Sequence, residues 1–174
     1  MQIRPATPDD LVAIAPIYAH HVLTGLASFE VDPPSPKEML TRFEAIIGAG
    51  YPYLVAEDGA AIIGYAYANY YRTRPAYRHS VEDSIYIAPE AIGRGLGKAL
   101  LTRLIDECAT RGYRQMLAVI GDSANAGSIG VHRACGFAHV GTLRAIGFKF
   151  GRWVDSVLMQ RALGAGDSSL PPAA

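Results

Sequence analysis

The chain has 174 residues, half of them hydrophobic, which is enough for one compact domain with a sizeable core. Sixteen basic and sixteen acidic side chains balance to a formal charge of zero, which removes the electrostatic footprint expected of a nucleic-acid or anionic-membrane partner. Met1 to Pro5 carries no long apolar stretch, no run elsewhere reaches membrane-spanning length, and neither the two cysteines (Cys108 and Cys135) nor His20, His21, His79 and His139 have metal-ligand spacing. The expectation is a soluble, cytoplasmic protein with buried, reduced thiols and no metal site.

Residues 2–6 read as a short strand. Thr7-Pro8-Asp9-Asp10 then supplies an N-cap hydroxyl, a proline at the first helical position and acids in the first turn. Leu11, Ile14, Ala15, Ile17 and Tyr18 recur at helical spacing and predict a helix to about His21. Ser35-Pro36-Lys37-Glu38 repeats the device as a capping box and opens a second helix through Ile47, stopped by Gly48 and Gly50. Residues 53–57 and 62–71 are apolar, β-branched or aromatic runs on either side of Asp58-Gly59, a hairpin signature. A strand over 81–87 follows, then a helix led by glycines 93–97 and ended at Gly112, a strand over 116–120 and a short helix over 125–135 stopped by Gly136. Strands over 137–143 and 153–160 close the pattern. The order β, α, α, β, β, β, α, β, α, β, β predicts a mixed sheet flanked by helices. Residues 1–163 read as a single domain. The last stretch, Gly164 to Ala174, is rich in Gly, Ala, Ser and Pro and is expected to be a disordered tail.

The segment from Ile85 to Leu101 runs from strand through a glycine-rich turn into a helix, and that geometry predicts an anion site. Gly93, Gly95 and Gly97 let the backbone N–H groups of Arg94 to Lys98 turn toward one point, and the helix N-terminus adds partial positive charge there. Arg94, Leu96 and Lys98 complete the cradle, and its two cations suit a pyrophosphate. Two other phosphate motifs do not fit. A P-loop requires Ser or Thr where Ala99 stands and glycine where Ile92 stands, while the dinucleotide fingerprint has a different glycine spacing and opens a βαβ unit.

Arg94-Gly95-Leu96-Gly97 followed by Ala99-Leu100-Leu101 resembles the acetyl-CoA signature of the GNAT acetyltransferase superfamily. The stretch from Asn125 to Phe137, an asparagine, a short helix and a closing Gly-Phe, resembles that superfamily's next motif. One departure is Ile92, where the family usually carries Gln or Arg. Tyr51-Pro52-Tyr53-Leu54-Val55-Ala56, Val81-Glu82-Asp83-Ser84-Ile85-Tyr86-Ile87, Ala118-Val119-Ile120 and Lys149-Phe150-Gly151-Arg152-Trp153-Val154-Asp155 extend the likeness over nearly the whole chain. They resemble the phosphinothricin and methionine sulfoximine acetyltransferase group. The resemblance implies an α/β (α+β) fold with a mixed, mostly antiparallel twisted sheet flanked by helices on both faces, acetyl-CoA as co-substrate, a small amine as acceptor and a homodimer.

An acetyl thioester is attacked by a neutral amine, yet a free amino acid's amine titrates roughly two units above neutral and leaves about one per cent reactive. The resemblance makes Glu82 the base, directly or through water; the residue alone also fits a solvated or salt-bridged glutamate at a strand start. His132 stands where many members carry a tyrosine thought to protonate the leaving CoA thiolate, and an imidazole there also fits a simple hydrogen bond to the sulfur or ordinary packing. The backbone of Ile85, Tyr86 and Ile87 is expected to bind the pantetheine arm as an added strand. Asn125 and Ser128 are expected to meet the cofactor at a helix start, where an asparagine also serves as an N-cap. Arg72 and Arg74, flanking Thr73, suit capture of a carboxylate or phosphinate, and the resemblance places such a pair at the substrate. Phe29 and Tyr86 fit the pocket wall as well as they fit core packing. The rival readings are a superfamily member acting on a protein N-terminus, polyamine or aminoglycoside, and a CoA-binding regulatory domain without turnover.

Overall fold

A computed structural model describes residues 1–171. Seven strands, β1 (Gln2–Pro5), β2 (Tyr53–Asp58), β3 (Ala61–Tyr70), β4 (Ser80–Ile87), β5 (Gln115–Gly121), β6 (Ala138–Lys149) and β7 (Arg152–Ala162), form one sheet in the order β1-β2-β3-β4-β5-β7-β6. Every neighbouring pair is antiparallel except β4 and β5, so the predicted mixed sheet is present. Four helices accompany it: α1 (Leu11–Thr24), α2 (Pro36–Gly48), α3 (Leu96–Thr110) and α4 (Ala126–Ala134).

Local chemistry fixes the helix starts. Ser35 caps α2 by accepting the Glu38 backbone N–H at 3.2 Å, and Pro36 sits at the first helical position. Before α1, Asp10 ends a 3-10 turn and takes a two-pronged ion pair from Arg4 of β1, both contacts at 2.8 Å, which holds its carboxyl down at about 2. That pair ties the helix entrance to the edge of the sheet.

Strand alternation sends neighbouring residues to opposite faces. On β4, Tyr86 packs edge-on against Tyr18 of α1, while Asp83 meets His132 of α4. Helices α1 and α2 therefore cover one face and α3 and α4 the other. Tyr53, Tyr65, Tyr67 and Tyr86 stack across β2, β3 and β4 under α1 and α2. Cys108 and Cys135 are buried free thiols, and burial pushes Cys108 up to about 12.

Two sequence expectations change. Strand β6 runs to Lys149 rather than ending at residue 143, with its register against β7 shifting between Leu143 and Gly147. Ala145 sits there at φ 50 and donates its N–H to the Asp155 carboxylate at 2.9 Å, so the ladder bulges and resumes. The segment expected to be disordered begins instead with turns. Arg114 donates to the Gly166 and Leu170 carbonyls and to Ser169, which gives residues 164–170 an anchor that their composition does not reveal. Residues 172–174 of that tail lie outside the described residues.

Candidate active site

The parallel strands β4 and β5 pair at only three positions, Ser80 with Gln115, Val81 with Met116 and Glu82 with Leu117. Beyond Glu82 they splay. Residues 83–87 keep their antiparallel partners on β3 and have no strand partner on the β5 side. The fork opens into a cavity of about 290 Å³ lined by Glu82 to Tyr86, by Ala118 to Gly121, by Asn125, Ser128 and His132 of the α4 region, and by Ala27, Ser28 and Phe29 of the α1–α2 loop.

Glu82 occupies the last paired position, at the crotch of the fork. Alternation along β4 puts it on the same face as Ser84 and Tyr86, the α1 and α2 side. Burial raises its carboxyl to about 7, with the charge of Asp83 adding to the rise and that of Arg72 opposing it. A carboxylate with that affinity is half-protonated near neutrality, so it can accept a proton from an acid of moderate strength and release it to water.

Asp83 points to the other face. Its Oδ2 lies 2.9 Å from His132 Nε2, and His132 Nδ1 lies 2.7 Å from the Ser128 carbonyl oxygen. Both side chains are enclosed, Asp83 at 7% exposure and His132 at 4%, and Asp83 Oδ1 has no hydrogen-bond partner among the described residues. Burial disfavours the imidazolium, but the Asp83 carboxylate and the Ser128 carbonyl outweigh it and raise the affinity of His132 for its proton. Asn125 caps α4, accepting the Ser128 N–H at 3.1 Å, so the N-cap reading holds while its side chain also lines the cavity.

The third wall is seated by contacts that sequence reasoning missed. Lys149, only 3% exposed, donates to the Gly25 and Ser28 carbonyls at 2.9 and 2.7 Å. Gly121 and Gly147 leave the room: a Cβ at 121 would stand 1.9 Å from the Leu26 carbonyl oxygen, and one at 147 would stand 2.4 Å from the Phe29 ring. The α1–α2 loop is thus pressed onto β5 and β6, and Phe29 faces the cavity with 43% of its surface open.

The glycine-rich turn adjoins β4 through a 3-10 turn at Pro89–Ala91. Gly93 and Gly95 adopt φ 83 and 78, a region that strains other residues, and a Cβ at either would meet nothing within 4 Å. Glycine serves the conformation here, and the turn faces open space. Gly95 is the N-cap of the 15-residue α3, whose first N–H groups have no helical partners. Arg94 pairs with Asp58 at 2.7 Å, both exposed, and Lys98 joins Gly95, Ala99, Thr102, Arg103 and Asp106 around a shallow depression. The residues fit a bound pyrophosphate: a positive helix end, an open backbone cradle and two cations beside it.

Residues 18–137 match the model of the acetyltransferase (GNAT) family, well over half of the chain. This chain belongs to that family. It is an N-acetyltransferase. It is 56% identical to a phosphinothricin N-acetyltransferase of Alcaligenes faecalis, over 97% of this chain and 86% of that one. It is 40% identical to an L-methionine sulfoximine/L-methionine sulfone acetyltransferase of Salmonella typhimurium, covering 94% of this chain and 95% of the relative. Its fold superposes with a TM-score of 0.96 on the crystal structure of a phosphinothricin acetyltransferase from Sinorhizobium meliloti in complex with acetyl-CoA, at 52% identity over 98% of this chain and 92% of the other.

In this acetyltransferase the fork gathers Phe29, Glu82, Ile85, Tyr86, Asn125, Ser128 and His132 around one cavity. Gly93, Arg94, Gly95, Leu96, Gly97 and Lys98 form the separate turn at the start of α3. Ile87 does not line the cavity; its carbonyl accepts the His21 Nε2–H at 2.8 Å. Arg72, Thr73 and Arg74 are exposed on the β3–β4 connection and also lie outside the lining, with the Arg72 guanidinium 5.0 Å from the Tyr71 ring centroid. Of the three, Arg72 has a charge that acts on Glu82.

Proposed function

We propose that this acetyltransferase moves the acetyl group of acetyl-CoA directly onto the primary amine of a small, amino-acid-like acceptor of the phosphinothricin, methionine sulfoximine or methionine sulfone type. The observation that carries the reading is Glu82, a carboxyl raised to about 7 at the crotch of an open fork. The names and high identity of the relatives support the acceptor class.

Acetyl-CoA, when bound, supplies an acetyl group activated as a thioester. The backbone N–H groups around Gly93 to Gly97, with Arg94 and Lys98, would hold its pyrophosphate, and the edge of β4 at Ile85, Tyr86 and Ile87, apart from the Ile87 carbonyl that His21 occupies, would offer backbone groups to its pantetheine arm. Asn125, Ser128 and His132 line the α4 side of the same fork. The acceptor enters from the opposite face, where Phe29 bounds its side chain and Arg72, Thr73 and Arg74 meet its acidic end. Glu82 would take the amine's proton, directly or through one water, as nitrogen bonds to the acetyl carbon, the carbon–sulfur bond breaks and CoA leaves as its thiolate. A base of this strength is well matched to work near neutral pH.

The active form in this reading is a cytoplasmic homodimer. Its support is an apolar row on the β6–β7 hairpin, with Val140, Ile146, Phe148, Phe150 and Trp153 all exposed along the edge of the sheet. Such a row calls for cover, and a second copy supplies it.

Free-thiol release from acetyl-CoA, measured with methionine sulfoximine, phosphinothricin, a polyamine and an N-terminal peptide, tests the acceptor class. Turnover confined to the first two is expected. Turnover only on the peptide or polyamine overturns the acceptor assignment, and acetyl-CoA binding with no release on any amine overturns the enzymatic reading.

A further inference from the structure

The surroundings of His132 fix its charge by simple donor and acceptor logic. A carbonyl oxygen can only accept, and so can an ionised carboxylate, yet one of each faces a ring nitrogen at 2.7 and 2.9 Å. With Asp83 as the carboxylate both nitrogens donate, whereas a protonated Asp83 would itself donate to Nε2 and leave the ring neutral. We infer that Asp83 is a positioning residue that keeps His132 doubly protonated on the wall of the fork, so that the ring presents the leaving sulfur with a fixed positive charge rather than a mobile proton. The inference rests on the acetyl-transfer reading above.

Geometry separates these two roles. Giving up the Nε2 proton would leave a lone pair facing the Asp83 carboxylate, and giving up the Nδ1 proton would leave one facing the Ser128 carbonyl, each an acceptor against an acceptor in a water-poor setting. No proton needs to leave the ring. As the amine nitrogen bonds to the acetyl carbon and the carbon–sulfur bond breaks, the bond's electron pair goes to sulfur and the amine's proton goes to Glu82. A nearby cation stabilises the sulfur's new charge without reorganising.

The groups packed on the pair are consistent with that charge state. On α4 the ring meets Ser128, and just beyond that helix Phe137 packs edge-on at 5.1 Å between centroids. On β4 it meets Asp83, whose charge favours the imidazolium. From α3 the titratable neighbour of Asp83 is Cys108, a thiol held neutral by burial. Across the strand, Glu82 faces the other side. An Asp83 carboxylate left without the imidazolium would be a buried, unpaired charge, which favours the charged ring.

Proton-detected nitrogen-15 NMR of the imidazole, recorded across a pH series on the whole protein with no acceptor present, reads the charge state directly. Wild type should show both His132 nitrogens protonated at neutral pH. In Asp83→Asn the side-chain amide donates to Nε2, so the ring should be neutral at neutral pH and its titration midpoint should fall. The same variant should lose about tenfold to a hundredfold in kcat, with both KM values nearly unchanged, and Asp83→Glu should recover part of the loss. A neutral His132 in active wild type overturns the inference and leaves the acetyl-transfer reading intact. So does an Asp83→Asn variant that folds and keeps its kcat. A cationic His132 in a wild type that releases no thiol instead overturns the acetyl-transfer reading, and with it the role toward sulfur. Should Asp83→Asn fail to fold, the wild-type titration decides by itself.

Discussion

Replacing Lys149 with methionine keeps a long, unbranched apolar stem, one atom shorter, and removes the ammonium. In wild type that group is enclosed at 3% exposure and donates to the Gly25 and Ser28 carbonyls at 2.9 and 2.7 Å, the only polar side-chain contacts described between β6 and the α1–α2 loop. Hydrogen bonds from a charged donor contribute about 1.5–3 kcal/mol, and the freed carbonyls can recover part of that from water once the loop lifts. The loss should fall on the loop's seating rather than on the core, because the core residues belong to a separate cluster of buried apolar side chains. If acceptor binding requires the seated loop and Phe29 with it, the acceptor's kcat/KM should fall by about tenfold to a hundredfold, while the KM for acetyl-CoA stays near wild type. Steady-state kinetics varying each substrate in turn, with hydrogen exchange followed over residues 25–31, makes the comparison. Faster exchange in the loop with no change in acceptor kcat/KM would refute the link between loop seating and acceptor binding. Unchanged exchange would refute the seating role itself.

The two glycines beneath that loop should behave differently. Gly121→Ala drives a Cβ to 1.9 Å from a backbone oxygen, so the loop itself must move, and a destabilisation of about 1–3 kcal/mol should accompany a higher acceptor KM. At Gly147→Ala the nearest atoms are all in the Phe29 ring, which is partly exposed and can swing, so thermal melts should show little change while acceptor preference shifts. Glu82→Gln should stabilise the fold at high pH. The folded carboxyl titrates near 7 against an ordinary 4.5, so below about 4.5 it is protonated in both states and contributes nothing. Between 4.5 and 7 the unfolded chain binds fewer protons and stability falls; above 7 the full cost, on the order of 3 kcal/mol, is present. The variant should therefore melt several degrees higher above pH 7, and the difference should vanish by about pH 4.5.

Much of the fold was legible because its cues are local. Ser35 with Glu38 marks a helix start, Asp58-Gly59 marks a hairpin, and glycines between a strand and an apolar helix mark the cradle at Gly93 to Gly97. The lengthening of β6 was not legible, because the bulge at Ala145 breaks the alternation that identifies a strand, and its support comes from Asp155 on the neighbouring strand. The site divides in the same way. Glu82 and His132 stood out by residue type and motif. The significance of Asp83 depends on a partner 49 residues away, and that of Lys149 on carbonyls more than 120 residues away. A signal did exist in each case. Two adjacent acids on a strand must face opposite ways, so one of Glu82 and Asp83 had to turn toward a helix and find a partner there. A lysine between Phe148 and Phe150 on an apolar strand similarly calls for buried acceptors. Neither signal identifies the partner.

The pH dependence of kcat/KM for wild type and Glu82→Gln, with methionine sulfoximine as acceptor, shows whether Glu82 is the base. Wild-type activity should rise with pH through about 7 as Glu82 ionises, and the variant should lose that limb and fall by about a hundredfold or more. A variant that keeps both the limb and the rate would show that the proton leaves by another route and that Glu82 is not the base.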